Sequence, residues 1–193
     1  MKRYLLLILM LLPAVSWAQQ WAKQFDYVDD IHCGLSLVGK GDKKGFVNNK
    51  GELVIPLAYE DAMGFSEGMA AVRKGGKWGF LDSTGKVVIS FDFEEAFGFC
   101  DGLALVIKNR QHGFINKVGK VVIPLQYQNA SSFAEGLAPV NMKGSWGFID
   151  TKGQQVIPFK YAYAMSFSEG FARVSKNGKW WNIDKSGKEF PAD

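Results

Sequence analysis

Short apolar runs, each closed by a polar break that carries glycine, follow one another from about residue 25 to the end of the chain. Nowhere in that span do apolar residues keep the three- and four-residue spacing of an amphipathic helix over the length a helix pair requires. In the clearest stretch, MAAVRK (69–74), KWGFLD (77–82) and KVVI (86–89) are rich in aliphatic, β-branched and aromatic side chains and predict three antiparallel strands. Gly75 and Gly76, between the first two runs, are residues of a two-residue hairpin turn. Asp82 precedes Gly85 by three places, the pattern of a type I turn in which the aspartate accepts a turn amide and the glycine takes the left-handed backbone.

The pattern returns at a fixed step of 34 residues. Gly45, Gly79, Gly113 and Gly147 form one column, with Trp181 in the next place, and Phe46, Phe80, Phe114 and Phe148 follow them until Asn182 breaks the series. A step without insertions implies one uniform contact geometry between neighbouring units. Thirty-four residues is also the period of a helical repeat, but the five or so glycines in each unit and the short β-type runs leave a β meander. Tyr59, Ala62 and Phe65, which return as Phe93, Ala96 and Phe99, are three apart and predict a single helical or 3-10 turn between meanders, an irregular fourth strand being the alternative.

The predicted fold class is therefore all-β, built of tandem 34-residue β-meander repeats. Residues 25–44 match the second half of a unit and 181–193 the first half of one, around full units at 45–78, 79–112, 113–146 and 147–180. The two halves make one unit split between the termini, which suits a closed five-unit propeller-like ring; an open β-solenoid capped by its half units is the alternative.

Lys2 and Arg3 precede an apolar run from Tyr4 to Leu12, and Ser16 and Ala18 flank Trp17. That is the order of a secretory signal, with an apolar run too short to span a bilayer. Cleavage after Ala18 is expected, leaving 19–24 as a linker, no stable membrane insertion, and a periplasmic or secreted protein. The cut removes two of the 23 basic residues and none of the 19 acidic ones, so the mature chain carries +2, a balance that argues for neither nucleic acid nor an anionic membrane as partner. Cys33 and Cys100 are too few for a disulfide scaffold. They lie two units apart, beyond the roughly 7 Å reach of a bridge, so both thiols are expected free.

Trp78, His112, Trp146 and Trp180 occupy one column, headed by Lys44. A column that accepts lysine and histidine is expected to stand at least half exposed, while the phenylalanines nearby face the core. Exposed indoles stack on sugar rings or on a partner's apolar patch; the competing reading is that each Trp lies across its neighbouring strand as sheet packing. Glu67, Asp101, Glu135 and Glu169 place one carboxylate in each unit. In a ring these could converge on a cation such as calcium, but Cys33 breaks the series, and the favoured reading is that each acid accepts amides at its own turn. GFSEG (64–68) fits the nucleophile pattern G-x-S-x-G and GFCDG (98–102) its cysteine version. The serine place reads Ala134 and Ser168 elsewhere, and His32 and His112 are the only histidines, so the pattern reads as a turn. Zinc-ligand spacing, a P-loop and a dinucleotide glycine pattern are all missing from the sequence, and no enzymatic activity, metal or cofactor is expected.

KWGFLD (77–82), SWGFID (145–150) and KWWNID (179–184), with VVIPLQY, FSEGMA and FAEGLA, resemble the bacterial WG repeat, also called KWG, over residues 25–193. Lys44 and His112 stand where that repeat has tryptophan, Ser90 where it has proline and Trp181 where it has glycine; the register survives all four. The resemblance implies a β-rich repeat protein of the bacterial envelope or a secreted form, without agreed enzymatic activity and without catalytic residues to carry over. The expected function is binding to an envelope or secreted protein, with glycan binding through the tryptophan column as the alternative.

Overall fold

The computed structural model describes residues 21–192, so the expected signal sequence lies outside the described residues. Five four-stranded antiparallel sheets, at 27–59, 61–93, 95–127, 129–161 and 163–191, follow one another, and in each the strands are hydrogen-bonded in chain order. The second sheet consists of Asp61–Ala62, Met69–Lys74, Lys77–Asp82 and Val87–Phe93. Its central strands fall on the runs that predicted them, and its last strand continues past Ile89 to Phe93. No sheet takes strands from both ends of the chain: the half units belong separately to the first and the fifth sheet.

The turn expected between meanders is instead the first strand of each sheet. In the third sheet Ala96 and Phe99 lie opposite Val106 and Ala104, with a bulge between the two pairs. Residues three apart on the bulged strand thus face residues two apart on its partner, so both apolar side chains reach one side of the sheet. A bulge produces the same spacing as a helical turn.

Side-chain alternation along the central strands divides their apolar groups between two neighbours. Met69 and Ala71 enter the core shared with the third sheet, whereas Ala70 and Val72 enter the core shared with the first. Phe80 and Leu81 divide in the same way. With both faces covered, these strands read as nearly continuous apolar runs. Every sheet therefore has a forward face, toward the next sheet, and a backward face. Each junction carries a phenylalanine pair, Phe46–Phe65, Phe80–Phe99, Phe114–Phe133 and Phe148–Phe167, with centroids 4.8 to 5.1 Å apart.

The array is open. Phe171 on the forward face of the fifth sheet is 52% exposed, against 6–7% for Leu35, Met69, Leu103 and Leu137 at the same place. On the backward face of the first sheet Ile31 is 53% exposed, against at most 4% for Phe65, Phe99, Phe133 and Phe167. Had the ring closed, these two faces would cover each other. Of the residues expected as a linker, Trp21–Gln24 form a 3-10 turn, and 19 and 20 lie outside the described residues. The Trp21 indole lies over Gly51, 2.2 Å from where a Cβ would stand, in the position that Ile55 of the preceding sheet takes over Gly85.

Gly79 marks a second close approach. A Cβ there would meet the Ile89 carbonyl oxygen at 2.6 Å, and across this point the strand pairing jumps from Trp78↔Phe93 to Phe80↔Ile89. Without a side chain at this position the fourth strand can bulge across the third. In the fifth sheet Trp181 fills the place, and pairing runs without a bulge, Trp181↔Pro191, Asn182↔Phe190 and Ile183↔Glu189. The turn at Asp82 forms as its sequence predicts, with Oδ1 accepting the Thr84 and Lys86 amides at 2.9 and 3.1 Å. Glu189 anchors the short last strand to the fourth sheet, pairing with Lys160 at 2.8 Å and accepting from the Tyr161 hydroxyl, and it also accepts from Lys176 of its own sheet. The Lys160 and Lys176 ammonium groups hold its carboxyl well below the usual range, at about 2.

Gly79→Ala is expected to cost about 2–3 kcal/mol in a urea titration, because a backbone carbonyl cannot yield as a side chain would. Gly68→Ala, in open space at φ 82°, should lose only the left-handed strain of about 1–2 kcal/mol. Because the Glu189 carboxyl is depressed when folded, its contribution is full above the unfolded value of about 4.3 and fades as pH falls toward about 2. Glu189→Gln should flatten the loss of stability across that acid window, and the difference from wild type should shrink in high salt.

Candidate functional site

The column of Trp78, His112, Trp146 and Trp180 does not form the half-exposed stripe expected of it. Trp78 and Trp146 are each 8% exposed and sit in the cores that join the second sheet to the third and the fourth to the fifth. His112 is half-buried; burial pushes its imidazole below the usual 6.5, and Nδ1 is enclosed without a hydrogen-bond partner. Trp180 alone of the three tryptophans is open, at 44%. A side chain in this column points at the next sheet, and Trp180 has no next sheet. Exposure follows position in the array, not the column's tolerance for Lys44 and His112.

Trp180 belongs to the forward face of the fifth sheet, together with Phe171, Arg173, Asn182 and Pro191. The phenylalanine column ends in Asn182, and the place of Leu37, Ala71, Leu105 and Pro139 is taken by Arg173, so the face is part apolar and part polar. Two hollows open on it. One of about 470 Å³ is lined by Arg173, Lys179, Trp180, Trp181 and Pro191. The other, about 270 Å³, is lined by Met165, Phe171, Arg173 and Asn182 among others. The Arg173 guanidinium lies 5.4 Å from the Trp180 ring centroid, and Tyr163 meets the same ring edge-on at 6.1 Å. A cation already stacked on the indole takes up surface that a sugar ring would need.

The carboxylate column differs from the favoured reading in where it reaches. Three of the four acids accept the amide of a glycine one sheet further on: Glu67 from Gly102 at 3.2 Å, Asp101 from Gly136 at 2.8 Å, Glu135 from Gly170 at 3.1 Å. Lys117 and Lys185 pair with Glu67 and Glu135 at 3.0 and 3.1 Å. The Lys185 ammonium holds the Glu135 carboxyl below its ordinary value. These are clasps between sheets, and sequence spacing alone could not separate them from local turn caps. Among the described residues no group of three or more histidines, cysteines or acids stands together as a metal site. Ser66 of the GFSEG turn donates its hydroxyl to the Phe99 carbonyl of the next sheet at 2.6 Å. Burial pushes the Cys100 thiol up, and both cysteines are free.

Trp146→Ala should remove about 3–5 kcal/mol of stability, the cost of emptying an enclosed aromatic site. Trp180→Ala should cost less than about 1 kcal/mol, as surface positions do. Urea midpoints of the two variants read the contrast directly.

The model of the WG containing repeat matches the sequence four times, at residues 45–78, 78–110, 113–145 and 146–180. No curated protein matches the chain. Among solved structures it is similar to a eukaryotic initiation factor at 11% identity and a TM-score of 0.54, over 81% of this chain and 51% of that one. It is also similar to Hsv2 of Kluyveromyces lactis at 11% identity and 0.53, over 82% and 59%. A third is the extracellular domain of a putative one-component system of B. thetaiotaomicron, at 13% identity and 0.51, over 87% and 29%. The chain thus spans about half the length of the first two, and at such identities the likeness is one of propeller-like fold alone. Four consecutive matches cover most of the sheets whose glycine and phenylalanine columns hold each unit against the next, and the chain belongs to the WG containing repeat family.

Proposed function

We propose that this chain is an exported, non-enzymatic module that binds another protein through the forward face of its fifth sheet. One observation carries the reading: Phe171 is 52% exposed at a place that every other sheet buries, so the array ends on a face of the kind it elsewhere covers. Covering an aromatic side chain contributes about 1.5–3 kcal/mol. Phe171, Trp180 and Met165 beside Arg173 are also the residue types enriched at protein interfaces, where aromatic and arginine anchors dominate affinity. Arg173 and Asn182 keep the uncovered face compatible with water. The leader-like order of residues 1–18 supports placing the partner in the periplasm or outside the cell. Glycan stacking has less support, because Trp78 and Trp146 are enclosed and Trp180 is flanked by Arg173 and Tyr163.

The test is capture from cell-envelope extract by the wild-type chain and by Phe171→Asp, with bound protein and sugar both quantified. Val118→Asp, at an exposed site away from this face, serves as the control. Phe171→Asp should reduce captured protein at least about tenfold, the loss of one aromatic anchor, while Val118→Asp leaves it unchanged. Equal capture by all three, or sugar retained after the extract has been digested with protease, would overturn the proposal.

A further inference from the structure

The fourth strand of each sheet is an edge, and an unpaired edge is a template for a strand from another chain. Among the described residues that strand is long in four sheets: Leu53–Tyr59, Val87–Phe93, Val121–Tyr127 and Gln155–Tyr161. All four carry exposed aliphatic side chains in their first two residues, Val87 and Val88 in the second sheet. All four also bulge against the third strand, which hinders pairing from outside.

Three of these edges have a second guard. Pro56, Pro124 and Pro158 occupy one place in the repeat, and proline offers no N–H to an incoming strand. In the second sheet that place is Ser90, which is exposed. The register around it, Trp78↔Phe93 and Phe80↔Ile89, is the one kept around Pro158, Trp146↔Tyr161 and Phe148↔Ile157. A ladder that forms in the same way on proline makes no use of the amide there, so the Ser90 N–H is a donor left over by its own sheet.

The same strand is complementary to itself. Lys86 stands just before it and Asp92 near its end, whereas the other sheets have Glu52 and Ala58, Lys120 and Gln126, and Gln154 and Lys160 at those two places. Antiparallel pairing about a two-fold axis at Ile89 sets Lys86 of each copy opposite Asp92 of the other, with Val87 opposite Phe91 and Val88 opposite Ser90. Lys86 is exposed, and Asp92 stays exposed although it pairs with Lys108 of the third sheet. Opposite charges directly across antiparallel strands are stabilising, and like charges are not.

We infer that two copies of the chain pair edge to edge through Val87–Phe93, their second sheets joining into one continuous antiparallel sheet across a two-fold axis. Both copies use the same edge, so association closes at the dimer. The contact is separate from the forward face of the fifth sheet and does not depend on what that face binds.

Sedimentation of the purified chain over a concentration series tests it, with wild type expected to reach a dimer and stop there. Ser90→Pro gives the second sheet the guard of the other three, so the fold should be kept while dimerisation weakens at least about tenfold, as loss of an edge donor predicts. Lys86→Asp and Asp92→Lys, each alone, should weaken it at least about tenfold as well, because like charges then meet twice across the axis. An equimolar mixture of those two variants should recover dimers of wild-type strength, since every charge again faces its opposite; that recovery also establishes that both are folded. Phe171→Asp, on the fifth sheet, should dimerise as wild type does. A wild type that stays monomeric at its highest soluble concentration would overturn the inference, as would dimers unaffected by Ser90→Pro or a mixture no stronger than its components. Assemblies larger than a dimer, or dimers lost in Phe171→Asp, would place the contact elsewhere and overturn it too.

Discussion

Each sheet in this chain depends on having its central strands covered from both sides. Met69 and Ala71 look forward while Ala70 and Val72 look back, so one six-residue strand serves two cores and belongs wholly to neither. A sheet of this construction standing alone would leave one or both of its apolar faces in water, and the stability of any unit is inseparable from that of its neighbours. The glycine columns serve the same requirement. Gly79 lets the fourth strand cross close to the third, and Gly85 admits Ile55 of the sheet before it at 3.2 Å from where a Cβ would stand. The clasps from Glu67, Asp101 and Glu135 tie the second, third and fourth sheets each to the next at the surface, outside those cores.

What the sequence makes legible is what is local or strictly periodic. The central strands and the turn at Asp82 with its left-handed glycine follow from residue types at short range, while the register of 34, and with it the free cysteines two units apart, follows from strict periodicity. The first strand of each sheet was obscured because a bulge gives Ala96 and Phe99 the same spacing as one turn of helix, and sequence carries no sign of the partner strand that separates the two. The acid column misleads in a similar way. A carboxylate beside a turn glycine looks like a local cap, whereas Glu67 bonds an amide 35 residues later.

The tryptophan column teaches a different point. Variation to Lys44 and His112 suggested exposure, yet Trp78 and Trp146 are enclosed while Trp180 is open. In a stacked array the same side chain in the same local conformation is core or surface according to whether another unit follows. The signals of an end lie in neighbouring columns instead. Arg173, Trp181 and Asn182 break three otherwise apolar or glycine columns within ten residues of one another, all in the last sheet.

Trp21 gives the array its other boundary, and with it a separation of roles. Because a tryptophan supplied by the chain's own leading segment covers Gly51, the first sheet needs no predecessor, and the specialised residues of the last sheet do not touch it. Units between the two ends could be duplicated or lost in whole steps of 34 residues without altering either terminus. Such a molecule can change its reach over evolutionary time while the surfaces at its two tips are inherited intact.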